Sequence, residues 1–159
     1  MSDELQAMAR AVIDSNLYLT LGTTEPDGGP RVSPVYFTHA DYREFYWVSS
    51  PTAQHSANVA ASPAVALVIF DSTATIGAGR AVYVGATAEQ VPDDELPDRC
   101  ARAFARVAEA AAYAFQPSEL SGDAPLRLFC ARATSHEVHI RGGDPVHGTG
   151  IDRRQAVDL

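Results

Sequence analysis

Three hydroxyl side chains, Ser49, Ser50 and Thr52, follow an aromatic run, Phe45 to Val48, and precede a short stretch that ends at Pro63 and reads as a helix. Phe45, Tyr46, Trp47 and Val48 are strand formers, and Pro51 suits the first turn of a helix. A helix start leaves backbone N–H groups without intrahelical partners, and hydroxyls beside them add further hydrogen-bonding groups. The chemistry this junction suits is phosphate binding. The same residues also suit an ordinary strand-to-helix turn in which the serines cap the helix and bind nothing.

Other constellations point elsewhere. His136 and His139 in HEVH look like metal ligands, but a strand sets residues three apart on opposite faces, and the helical zinc motif spaces its histidines by four. Gly77 and Gly79 fall in a turn without the Gly-rich pattern of a dinucleotide or P-loop site. Ser33, Ser49 and Ser50 lack the GxSxG elbow of a serine hydrolase. Cys100 and Cys130 have no paired-ligand spacing and read as small buried apolar residues, so neither a disulfide nor a zinc site is expected. Arg31 and Arg80 lie on strand-like segments from which either could reach an anion, although solvated arginines are common there. Tyr36, Tyr46, Trp47 and Tyr83 read as core or interface aromatics.

The elements that must position these groups follow from periodicity. Leu5, Met8, Ala9, Val12 and Ile13 recur at helical spacing and predict an amphipathic helix ending near Ser15. Leu17, Leu19 and Leu21 alternate with polar residues, EPDGGP (Glu25 to Pro30) signals a turn, and Arg31 to Thr38 alternates again, which predicts a hairpin. A third strand spans Glu44 to Ser49, and a proline-bounded helix spans Thr52 to Ala61. AVALVIF (Ala64 to Phe70) is a continuous apolar run, expected to be a strand buried on both faces. Ala81 to Val91 predicts a long strand in which Gly85 allows a bulge. Leu96, Cys100, Phe104, Val107, Ala111 and Phe115 mark a helix of several turns. Leu126 to Ala133 and Glu137 to Arg141 predict two final strands before a Gly-rich, charged tail.

Six or seven short strands with a few helices inserted suit a small barrel, because closure removes exposed sheet edges. A length of 159 residues with 46% hydrophobic content fits one domain with a real core. We assign residues 1–145 to that domain and 146–159 to a tail that is mobile or wraps a neighbour. No apolar stretch reaches the roughly 18 residues of a membrane span, and acidic residues near the start replace the basic ones of a signal peptide, so no membrane association and a cytoplasmic location are expected. The net charge of −8 and the scattered basic residues argue against a nucleic-acid partner.

SPVYF (Ser33 to Phe37), FYWVSSPTAQHSANVAASP (Phe45 to Pro63) and VYVGATAEQV (Val82 to Val91), taken in order, resemble the pyridoxamine 5'-phosphate oxidase-like family of flavin-binding split barrels. The resemblance covers about residues 3 to 140. It implies a mainly β fold with flanking helices, a six- to seven-stranded split β-barrel, and a homodimer with a flavin in each of two interface clefts. It further implies that Ser33, Pro34, Val35 and Tyr36 run along the isoalloxazine ring through backbone hydrogen bonds. Val48, Ser49 and Ser50 would approach the ring's pyrimidine side and the ribityl phosphate, with Gln54 and His55 at positions that usually carry Arg or Lys for that phosphate. Losing one charge-assisted bond costs about 1.5–3 kcal/mol, so weaker FMN binding is implied. A Trp common near the end of relatives is replaced within His136 to Ile140. The Arg and His pair that closes over pyridoxal phosphate has no clear counterpart, so vitamin B6 oxidation is not implied. The expected protein is a dimeric FMN-dependent oxidoreductase acting on an unidentified small molecule. The alternatives are an F420-dependent reductase on the same fold and a non-catalytic barrel that binds flavin or haem.

Overall fold

The structure, a computed structural model, describes residues 2–107 and 113–159. Helix α1 (Ser2–Asp14) precedes a hairpin of β1 (Tyr18–Thr24) and β2 (Pro30–Tyr36). The short β3 (Thr38–Ala40), β4 (Glu44–Ser49), helix α2 (Gln54–Ala61), β5 (Ala64–Phe70) and β6 (Ala81–Gln90) follow. Helix α3 (Leu96–Phe104), the long β7 (Arg127–Ile140) and β8 (Arg153–Val157) complete the order. Every strand pair is antiparallel, in the sequence β2, β1, β5, β6, β7, β4, β3. Strand β8 pairs with the second half of β7, beyond the stretch that pairs with β4. The sheet curls until β2 comes round against β4, giving the expected mainly β split barrel with flanking helices.

Alternation along the strands builds the interior. Leu19, Leu21, Val65, Leu67, Ile69, Val82 and Val84 point inward with Phe45 and Trp47. Trp47 stacks on Phe129 with ring centroids 5.7 Å apart. The apolar face of α1, Leu5, Ala9, Val12 and Ile13, packs on this core, and Val59 of α2 joins it. A second core lies on the other side of β4 and β7, where Leu96, Cys100 and Phe104 of α3 cover Tyr46, Leu128 and Cys130. Strand β4 therefore has no free face: odd-numbered Phe45 and Trp47 look into the barrel, even-numbered Tyr46 and Val48 look toward α3. At Gly85 the β6–β7 register shifts by one residue, the expected bulge, and a Cβ there would come within 2.7 Å of Ser135 Oγ.

Several expectations are corrected. Strand β5 is buried on one face only: Val65, Leu67 and Ile69 are inside, whereas Ala66, Val68 and Phe70 face outward with Phe70 45% exposed. Among the described residues no helix lies over that outer face, so its apolar run reflects an exposed sheet surface. The two expected final strands are one continuous β7, because Thr134 is the unpaired residue of the bulge and the ladder resumes at Ser135. Helix α2 starts at Gln54, two residues later than expected, since Pro51 and Thr52 sit in a turn. Helix α3 ends at Phe104; Ala111 lies outside the described residues, and Phe115 packs back on Phe104 from a following loop at 5.8 Å. The segment expected to be a tail contains β8, and Leu159 is buried in the main core. Alternating Arg153, Gln155 and Val157 are the half-buried face of that strand, a pattern hidden by its charge.

Candidate functional site

Strand β4 delivers Ser49 to the edge of the barrel, and the turn Ser50 to Ala53 carries the chain into α2. Ser50 Oγ accepts the Thr52 N–H at 3.2 Å and shares a hydrogen bond with Thr52 Oγ1 at 2.9 Å. The Ala53 N–H bonds to Ser50 O at 3.2 Å, and Ser56 Oγ, buried, donates to the same carbonyl at 2.7 Å. These bonds fix the turn through backbone groups. The helix N-cap is Ala53, in extended conformation and without a side-chain cap. The capping alternative is thus not the one adopted: the serines shape the turn, and the first-turn N–H groups of α2 have no side-chain acceptor.

His55, in the first turn of α2, is half-buried and hydrogen-bonded through Nε2 to Ser49 Oγ at 2.9 Å. Burial lowers its basicity, and the neighbouring Arg31 guanidinium lowers it further, so the ring is neutral at pH 7. Arg31 comes from β2, where it pairs with Thr23 of β1, and it is held by an ion pair with Glu25 at the start of the hairpin turn. Asn58, 1% exposed, bonds Thr23 Oγ1 at 3.1 Å and lies 3.3 Å from Glu25 Oε2. The site thus joins uncapped helix donors, three hydroxyls, a neutral imidazole and one arginine.

A second component runs beside it. Strand β2 is a sheet edge, paired with β1 only, so alternate backbone groups of Ser33 to Tyr36 face away from the sheet. Tyr36 is half-buried and meets Tyr18 edge-on at 6.1 Å. Outside β1, β2, β5 and β6 lies a groove of about 400 Å³ lined in part by Gly22, Val32, Ala66, Val68 and Tyr83.

The family model for pyridoxamine 5'-phosphate oxidase matches residues 5–138. The chain belongs to the pyridoxamine 5'-phosphate oxidase family. No curated protein sequence matches it. Solved structures with the same fold include HutZ, the heme storage protein from Vibrio cholerae, at 20% identity and TM-score 0.65, covering 94% of this chain and 99% of that one. An F420 reductase matches at 22% identity and TM-score 0.57, over 80% of this chain and 94% of that one. An FAD-binding protein from Mesorhizobium loti matches at 20% identity and TM-score 0.60, over 83% and 91%. The pyridoxamine 5'-phosphate oxidase fold is therefore shared by proteins described as binding different planar cofactors.

Within this member of the pyridoxamine 5'-phosphate oxidase family, Ser49 and His55 meet, and Ser50 follows in the turn that leads to α2. Ser33, Pro34 and Tyr36 lie on the nearby edge strand, and Val35 turns its side chain into the core. Val48 packs its side chain under α3, which leaves its backbone for any ligand. Gln54 is exposed, but its amide nitrogen is committed to Asn58 Oδ1 at 2.9 Å, so it presents less donor capacity than its position suggests. The sequence marks Arg31 only as one of two arginines able to reach an anion, and no local pattern marks Glu25 or Asn58 as site residues. The signal available was the hairpin register: counting back from EPDGGP sets Arg31 opposite Thr23 at the open end of the barrel. His136 and His139 diverge as expected for a strand; His136 is buried against Tyr42 O at 2.8 Å, and His139 faces outward toward Asp152.

Proposed function

We propose that this chain is a flavin-dependent oxidoreductase that binds FMN, with the phosphate at the start of α2 and the isoalloxazine ring along the edge of β2. The observation that carries this reading is the uncapped α2 N-terminus with Ser49, Ser50, Thr52, His55 and Arg31 gathered around it. Helix N–H groups and hydroxyls suit phosphate oxygens, and the arginine supplies the one positive charge identified there. The flavin, when bound, supplies hydride transfer. The chain's own residues hold the phosphate, present backbone groups to the ring's polar edge and exclude water from one side of it.

A homodimer belongs to the same proposal. Tyr18, Val32 and Phe70, at 61%, 70% and 45% exposure, line one outer sheet face that no described helix covers. An apolar surface of this kind supports association, and a second copy would wall the open side of the ligand groove. The substrate is a small molecule.

The test is a fluorescence titration of the purified protein with FMN and with F420, with molar mass measured in the same samples. Tight FMN binding by a dimer supports the reading. Binding of F420 alone moves the assignment to deazaflavin reduction, and binding of neither removes the oxidoreductase assignment.

A further inference from the structure

Glu25 opens the β1–β2 turn with its carboxylate divided between two partners. Oε1 takes Arg31 Nε, and Oε2 accepts from Asn58 Nδ2 at 3.3 Å. Asn58 is sealed in place by Thr23 Oγ1 on one side and by Gln54 Nε2, which donates to its Oδ1 at 2.9 Å, on the other. A continuous line of side chains therefore runs from the first residue of α2 through Asn58 and Glu25 to Arg31. It holds a negative charge against Arg31, the cation that lowers the basicity of His55, and His55 is itself neutral. Glu25 is the more sheltered partner, 20% exposed against 44% for Arg31.

A phosphate monoester carries close to two negative charges at neutral pH. Here it meets an arginine already paired with a carboxylate. Like charges repel, and the arginine's field is largely cancelled before the ligand arrives. We propose that Glu25 sets the phosphate affinity of this pole, keeping Arg31 paired so that the site discriminates weakly between a ligand ending in a phosphate monoester and the same ligand ending in a hydroxyl. The inference rests on the flavin reading above for the choice of ligand, and on the ion pair and its Asn58 anchor for the effect. Asn58 acts as a positioning residue, because it reaches the ligand only through Glu25.

FMN and riboflavin share the ring and ribityl chain, so the ratio of their dissociation constants isolates the pole. At constant low ionic strength, where screening is weakest, the wild-type protein is expected to favour FMN by less than about tenfold. Glu25→Gln keeps the shape and an acceptor for Arg31 while removing the charge. It should raise the ratio about tenfold, through FMN alone. Arg31→Gln added to Glu25→Gln should cancel that gain. An unchanged ratio in Glu25→Gln overturns the proposal, as does a lowered ratio, which would make Glu25 an aiming device for Arg31. Titration with inorganic phosphate, followed at the His55 ring resonances, reads the pole without any flavin. Tighter phosphate binding in Glu25→Gln supports the proposal even where neither flavin binds, an outcome that would sink the flavin reading alone. Equal phosphate binding in both proteins overturns the proposal whatever the flavins do.

Discussion

Strand β4 has a polar cluster at each end, built in opposite ways. At its start, Glu44 accepts hydrogen bonds from Tyr46 OH and from Arg99 at 3.3 Å, and Arg102 reaches its other oxygen at 3.0 Å. Arg99, 5% exposed, also donates to Tyr46 OH at 3.0 Å and sits within 3.9 Å of Glu89 and 3.7 Å of Glu95. Burial, reinforced by the nearby Glu44 charge, pushes the Cys130 thiol up to about 12. The sheltered charges there, Arg99 and Glu44, lie under α3 and are paired with each other, and Arg102, Glu89 and Glu95 reach them from the surface. At the other end, Ser49 and His55 satisfy each other, but the helix donors beside them lack a cap and the turn hydroxyls of Ser50 and Thr52 are near the surface. The same kinds of residue therefore do different work. Burial with full pairing makes a cluster structural, and open donors around a single cation make one available to a ligand.

The largest expected effect comes from breaking the closed end. Arg99→Met leaves Glu44, 15% exposed at its side chain, short of its buried partner. Removing one member of a buried ion pair costs about 3–5 kcal/mol. Arg102 still reaches Glu44, so the lower figure applies. Chemical denaturation should show a loss of about 3 kcal/mol, while the folded fraction keeps its FMN affinity. A loss below about 1 kcal/mol would mean that the pair behaves as a surface salt bridge, and the contrast between the two ends would collapse.

The open end should respond the other way. Ser50→Ala combined with His55→Ala removes two side chains from the pole without touching the core. FMN affinity should fall toward that of riboflavin, by up to about tenfold, and stability should change by less than about 1 kcal/mol. Calorimetry and an FMN titration of the same sample check both halves. Unchanged affinity would move the phosphate away from this turn.

The contrast between the ends explains what the sequence made legible. Strand β4 and its faces could be read because Phe45 to Val48 are strand formers and a strand alternates. The hydroxyl turn stood out because its residues are adjacent in the chain. Arg31 escaped because its place beside His55 depends on the barrel curling β2 round to β4, a long-range event that no local pattern records. Glu25 and Asn58 escaped for the same reason. Strand β8 was hidden by composition: Arg153, Arg154 and Gln155 read as a charged tail, yet they complete a ladder against His136 to Ile140. The exposed face of β5 is not legible because an apolar run signals burial on both faces, whereas this strand buries only Val65, Leu67 and Ile69.

The smallest expected effect separates the histidines of the two regions by pH. His39 and His136 are both buried near the start of β4, at 8% and 7% exposure, and burial lowers the basicity of each. The Tyr42 N–H donates to His39 Nδ1 at 3.3 Å, which places the ring proton on Nε2, facing Asp14 Oδ1 at 2.9 Å. His136 Nε2 donates to Tyr42 O at 2.8 Å. Burial therefore holds both rings neutral beside the left-handed Asp41–Tyr42 turn, with φ of 52° and 57°, against the opposing pull of the Tyr42 carbonyl on His136 and of Asp14 on His39. In the unfolded chain each takes up a proton near its ordinary value of 6.5, whereas the folded protein resists until lower pH. The unfolded state binds more protons in that interval, so stability falls as the pH drops below about 6.5. Further down, Asp14 adds to the loss: burial opposes its ionisation, but hydrogen bonds from Tyr42 and His39 hold its carboxyl below the usual range. His136→Gln keeps a donor for the Tyr42 carbonyl and removes the titration, so its melting temperature should decline less between pH 7 and pH 5 than that of the wild type. His55→Gln should flatten that decline less, because the His55 ring is lowered in the same direction but is only half-buried at the open end. A curve flattened equally by both substitutions would show that the two ends share one electrostatic environment, and the division between a sealed cluster and an open one would fail.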